Sequence, residues 1–141
     1  MNVLFFLTPK AEVSYAEAEG TLRQALEKLE NSGFSALPII SKRGKNIGTI
    51  TEGDLLWYIK DHAQLSLKDA EDIPLKRVER RRDNKAVAVN ADIGNLWEKV
   101  MNQNFVPVTV DENTFIGIVT RKDIMAYAKK EYLHLAPTGT E

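Results

Sequence analysis

The 141-residue sequence predicts a mixed α/β (α+β) fold in which one small unit is used twice, and two observations carry that prediction. Pro38, Ile47, Gly48, Thr51 and Asp54 recur as Pro107, Ile116, Gly117, Thr120 and Asp123, each displaced by 69 positions. Ahead of each proline an apolar helical face recurs at an offset of 71, so that Leu22, Leu26 and Leu29 correspond to Ile93, Trp97 and Val100. Two copies at a fixed period make a paired module and are too few for a solenoid.

The elements follow in order. Val3–Leu7 is a five-residue apolar run that stops at Thr8-Pro9 and has no basic segment ahead of it; it reads as a buried leading strand, too short for a signal peptide or a membrane span. A second extended piece is expected near Val13–Tyr15. Leu22, Ala25, Leu26 and Leu29 then stand at helical spacing, as do Ile93, Leu96, Trp97, Val100 and Met101 in the second copy, giving one apolar face on each helix. The runs Leu37–Ile40 and Ile47–Ile50, joined by the polar stretch Ser41–Asn46, predict a hairpin. Val106–Val108, Asp111–Thr114 and Phe115–Val119 repeat it, and each proline lies near its strand's start, where a missing N–H does least harm.

Second helices open at Thr51-Glu52-Gly53-Asp54 and Thr120-Arg121-Lys122-Asp123 and continue through Leu55, Leu56 and Ile59, or Ile124, Met125 and Ala128. Between the copies a short helix is expected at Leu67–Asp72, ended by Pro74, and Ala86–Val89 is the second leading strand. The predicted division is a first unit over 1–65 with its leading strand, a basic connector over 66–85, a second unit over 86–135 and a C-terminal tail over 136–141.

Lys and Arg number 19 against 20 Asp and Glu, which gives no general field for nucleic acid. Cysteine is absent, excluding disulfides, thiolate nucleophiles and cysteine-ligated metals and fitting a cytoplasmic location. His62 and His134 have no ligand at metal spacing. There is no nucleophile elbow and no Walker-type loop, and Asp54 and Asp123 lack an acid–base partner. No catalytic residue, metal, cofactor or membrane contact is therefore predicted.

Several features keep two explanations. A Thr with an acid three residues on makes a capping box, but a carboxylate at a helix start can also accept ribose hydroxyls while the helix N-terminus faces phosphate. Gly48 and Gly117, inside apolar strands, imply a close backbone approach, by a ligand or by packing. Lys76–Lys85 carries six positive residues against Glu79 and Asp83; it is a solvated face or a source of Arg80, Arg81 and Arg82 for phosphate, with Lys10 a weaker candidate. Arg121 and Lys122 make the Asp123 helix start the better suited of the two to phosphate. The second helices are apolar on more than one side, so each is expected to pack against two neighbours, which burial within one chain could supply.

Ala36–Ile40, Ile47–Asp54 and Ile116–Asp123 together resemble the CBS domain, which occurs in pairs as a Bateman module, and the likeness covers nearly the whole chain. The sequence looks most like a stand-alone bacterial CBS pair. That resemblance implies a pseudo-twofold pair with two clefts that take AMP, ADP, ATP, cyclic di-AMP or S-adenosylmethionine. It implies ribose contacts from Thr51, Asp54, Thr120 and Asp123, and a homodimer with Trp57, Tyr58 and Tyr127 near its interface where the second helices find their second neighbour. It also implies a base lined by Ser35, Ala36 and Leu37 and by Asn104, Phe105 and Val106, although Phe105 equally suits a core. The expected function is an adenine-nucleotide sensor that signals to an effector in trans; the alternative is a dimerisation scaffold without ligand. The copies differ at Glu52-Gly53 against Arg121-Lys122, so unequal sites are expected.

Overall fold

The computed structural model describes residues 1–62 and 65–135. The chain begins with a 3-10 turn, Val3–Phe6, followed by β1 (Thr8–Pro9), a second 3-10 turn and β2 (Ala16–Glu17). The first copy continues with α1 (Leu22–Ser32), β3 (Ala36–Ile40), β4 (Asn46–Thr51) and α2 (Glu52–Asp61). After α3 (Leu67–Ala70) and a 3-10 turn at Leu75–Arg77, the second copy runs β5 (Val87–Ala88), α4 (Ile93–Val100), β6 (Phe105–Val110), β7 (Thr114–Thr120) and α5 (Arg121–Leu135). The predicted tail over 136–141 lies outside the described residues.

Local chemistry explains the boundaries. Thr21 opens α1 with a capping box, its hydroxyl accepting from the Gln24 N–H while the Gln24 side chain accepts from the Thr21 N–H, so two otherwise unpaired amides are satisfied. Gly33 ends the helix at φ 71°, a left-handed conformation that glycine adopts without strain. Ser66 and Asp69 form the same box on α3. The hairpin β6–β7 turns through Asp111 and Asn113, both at positive φ, a conformation that short polar side chains tolerate.

β3 pairs in parallel with β2 and antiparallel with β4, in the order β2-β3-β4. The second sheet repeats that arrangement with β5, β6 and β7 and adds β1 beyond β7, in the order β1-β7-β6-β5. In both hairpins the register shifts at the same repeat position, between Ile39 and Ile40 and between Val108 and Thr109. Pro38 and Pro107 sit third in their strands, before the parallel partner begins to pair at Ile39 and Val108. The lost donor therefore faces an unpaired edge.

Each sheet carries one core. Leu22, Ala25 and Leu29 of α1 pack with Leu37, Ile39, Ile50 and Leu55, and the connector adds Ala70, Leu75 and Val78. Leu96 and Val100 of α4 pack with Val87, Val106, Val108, Val119 and Ile124, and here the addition is Val3 and Phe6 from the start of the chain.

That placement corrects the expected leading strand at Val3–Leu7. The Asn2 side chain accepts from the Leu4 N–H and starts a 3-10 turn, so Val3 and Phe6, three residues apart, face the same core. The extended pieces are shorter and shifted: Ala16–Glu17 where Val13–Tyr15 was expected, and Val87–Ala88 within the expected Ala86–Val89. Met101, counted on the apolar face of α4, caps the helix end and is 79% exposed. Tyr127 is packed within the chain, edge-on to Phe5 and Phe6 with centroids 5.6 and 5.3 Å away. Tyr58 stacks on His62 and lies against the first core. Trp57 remains partly exposed, with Lys60 and Arg81 over its ring at 5.3 and 5.0 Å. Among the described residues no helix is long and apolar enough to cross a membrane.

Candidate functional site

The two helix starts with the Thr-x-x-Asp pattern have different surroundings. At α2, the Thr51 hydroxyl accepts from the Asp54 N–H (3.0 Å) and Asp54 Oδ2 accepts from the Thr51 N–H (3.1 Å), a complete capping box. Asp54 Oδ1 accepts from the Arg81 N–H (3.1 Å), and the residue is 2% exposed. At α5, the Thr120 hydroxyl accepts from the Asp123 N–H (3.1 Å), but among the described residues no donor reaches the Asp123 carboxylate, which is exposed.

Asp123 lies on a cleft of about 650 Å³ made by both copies. Its polar rim is Thr120, Arg121, Lys122 and Asp123 from the second copy, with Asn104; Ser35, Ala36, Leu37 and Pro38 come from the first copy, and Phe105 and Ile118 complete an apolar floor. Helix and strand meet here because the Arg121 N–H donates to Asn104 O (2.9 Å), as the Glu52 N–H does to Ser35 O (2.9 Å) in the other copy. Arg121 Nε also donates to Val100 O (2.8 Å), which ties α5 to the end of α4 and fixes the guanidinium at the rim. A carboxylate able to accept two hydroxyls, two flanking cations and a flat apolar floor form an arrangement suited to a polar anion with a planar ring system.

The expected site residues divide accordingly. Ser35, Ala36, Leu37, Asn104, Phe105, Thr120, Arg121, Lys122 and Asp123 meet at this cleft. Val106 does not, because strand alternation turns it into the second core, where it is fully buried. Asp54, Arg80 and Arg81 line a separate groove of about 530 Å³ beside Trp57 and Tyr58. Lys10 lies over the Tyr15 ring, 5.5 Å from its centroid, and Arg82 is exposed on the connector. At both glycines the close approach is made by the chain itself: a Cβ on Gly117 would stand 2.2 Å from Thr8 O of β1, and one on Gly48 would stand 2.5 Å from Asp83 Oδ1.

Sequence reasoning missed Thr8, Glu12, Val13, Ser14, Gly33, Phe34, Pro38 and Ile118 at the cleft. Pro38 and Ile118 were within reach, being part of the repeated strands. Phe34, 58% exposed at the mouth, carried the signal of an aromatic directly after a helix-ending glycine. Thr8 to Ser14 carried none, since they reach the cleft by crossing from the first copy to the second.

Two small αβ units whose leading segments exchange, with a cleft between them at a repeated helix start, define a tandem module of two repeated domains. The chain matches the CBS domain family over residues 9–61 and 70–130, and it belongs to that family. It is similar to CbpB in the crystal structure of its complex with c-di-AMP, at 26% identity and a TM-score of 0.83, covering 95% of this chain and 87% of that one. It is also 24% identical over 125 residues to cyclic di-AMP receptor B of Bacillus subtilis (strain 168), covering 89% of this chain and 84% of the receptor. The A-adding tRNA nucleotidyltransferase of Aquifex aeolicus (strain VF5) is 27% identical over 117 residues, but this chain spans only 13% of that enzyme's length.

Proposed function

We propose that the Asp123 cleft binds an adenine nucleotide, cyclic di-AMP foremost, and that the chain is a regulatory module acting in trans on an effector. The observation that carries this is the exposed, unengaged Asp123 carboxylate beside Arg121 and Lys122, over an apolar floor that both copies build. A ribose hydroxyl pair fits the carboxylate, phosphate fits the flanking cations and the helix start, and a base fits between Leu37, Pro38, Phe105 and Ile118. Cyclic di-AMP is favoured because two relatives that each cover most of this chain are named as its receptor or were solved with it.

Because the walls come from both copies, a ligand that binds one relative arrangement better shifts the module toward it. A homodimer through the exposed Leu56, Trp57 and Ile59 of α2 would present that shift to the effector. The chemistry is binding without turnover, and the absence of cysteine fits action in the cytoplasm.

The test is a thermal-shift and calorimetric titration with cyclic di-AMP, AMP, ADP, ATP and S-adenosylmethionine, run on the wild type and Asp123→Ala. A ligand at 100 times its Kd adds about 2.7 kcal/mol, a rise of several degrees for a chain of this size. The expected result is such a rise with cyclic di-AMP, lost in Asp123→Ala. No rise with any of the five, with no heat on titration, would leave a dimerisation scaffold as the function.

A further inference from the structure

The repeat makes Asp54 the counterpart of Asp123, and a second cleft is due at α2. The structure assigns that second cleft to the chain's own connector: Arg80–Asn84 lies across it as a tethered plug, so that the nucleotide site contains Asp123 while the Asp54 carboxylate, 2% exposed, is spent on holding the connector. This rests on the nucleotide reading for its ligand, but the plug itself stands on geometry alone.

Asp83 Oδ1 accepts from the Thr49 N–H (2.9 Å) and from Arg80 Nε (2.8 Å), which lays the Arg80–Asp83 pair across Gly48. Only a residue without Cβ admits it, since an added Cβ would stand 2.5 Å from Asp83 Oδ1 and 2.7 Å from Arg80 Nε. The Asn84 N–H donates to the Thr49 hydroxyl (2.9 Å), and Asn84 Nδ2 donates to Phe105 O of the other copy (3.1 Å). The Arg81 N–H takes the last free oxygen of Asp54. Donors and acceptors that a nucleotide would need on this side are therefore satisfied by the protein, and a ligand would have to break several of these bonds to enter.

The first copy's leading segment cannot do the same to the Asp123 cleft. The strand registers align Ala16 with Val87, which makes Glu12 the counterpart of Asp83 and Pro9 the counterpart of Arg80. Proline has no guanidinium with which to hold the acid, and Pro9 is instead spent in β1 against Gly117. Glu12 lines the open cleft.

Two measurements on the whole chain test this. Calorimetric titration with cyclic di-AMP should saturate at no more than one equivalent per chain and lose all heat in Asp123→Ala, while Asp83→Ala keeps the wild-type affinity within about threefold. Without ligand, amide exchange at Thr49 and Asn84 should be faster in Asp83→Ala by about tenfold or more, with exchange in β6 and β7 unchanged. A second equivalent in the wild type that survives Asp123→Ala would overturn the proposal, and so would unchanged exchange at Thr49 and Asn84. If no nucleotide binds at all, the proposed function fails, and the exchange result alone then upholds or overturns the plug.

Discussion

At the scale of residues, the same Thr-x-x-Asp pattern serves two purposes in one chain. In the first copy it is a buried capping box with its spare oxygen on the Arg81 N–H; in the second it is half a cap with an exposed carboxylate. Thr120→Ala should therefore cost only the usual cap contribution, about 0.5–2 kcal/mol in urea denaturation. Asp54→Ala loses the box and leaves the part-buried Arg81 N–H without its acceptor as well, for a further penalty of about 1 kcal/mol. The Asp83 carboxyl adds a pH dependence. Burial alone would raise its pKa, but the hydrogen bonds from Arg80 and the Thr49 N–H and the nearby Arg80 charge outweigh burial and hold it below the ordinary 3.8. A depressed pKa means that its stabilisation is present above that ordinary value and is lost as pH falls through the lower folded one. The melting-temperature difference between wild type and Asp83→Asn should stay constant at neutral pH and close below about pH 4.

At the scale of elements, the helices, the hairpins and the second leading strand were legible, and the first leading segment was not. Helical spacing located α1 and α4, and the repeated strands located both hairpins, because in each case one face of one element meets one core. Val3–Phe6 was misread because five apolar residues satisfy a strand of period two and a 3-10 turn of period three equally well; the Asn2 cap decides between them. The two glycines show the same limit. An interior glycine signals that something comes close, but β1 of the opposite copy is what comes close to Gly117. Gly117→Ala would set a Cβ against the backbone oxygen of Thr8, which has no rotamer to escape through. It should detach β1 from β7 and cost about 1–3 kcal/mol, read as a lower denaturation midpoint together with faster amide exchange along β7. Gly48→Ala meets side-chain ends that can move and should cost less while loosening the Arg80–Asp83 pair.

At the scale of the whole molecule, the two copies are cross-braced. Val3 and Phe6 of the first leading segment complete the second core, while Leu75 and Val78 of the connector complete the first. The Asn46 N–H donates to Asn113 O (3.1 Å) and the Phe115 N–H to Gly44 O (2.9 Å), tying the two hairpins to each other. Heating should therefore give one calorimetric transition for both copies. Removal of residues 1–7 takes two buried side chains from the second core, each contributing up to about 1.5–3 kcal/mol, and should lower that single transition without splitting it. By itself the sequence determined the repeat, the helices and hairpins, and the pairing of Thr120 with Asp123 at a helix start, because periodicity, capping and turn chemistry act between residues close in the chain. Only the tertiary structure decided which of two equivalent helix starts stays open, since that depends on the crossing of the leading segments and on Arg80 finding Asp83 and Gly48 where the other segment has Pro9 and Glu12. Arg80 and Asp83 stand only three positions apart, but the contacts that bring them onto Thr49 and Gly48, and Thr8 onto Gly117, join residues some thirty to one hundred and ten positions apart, and distances of that kind leave no period in a sequence.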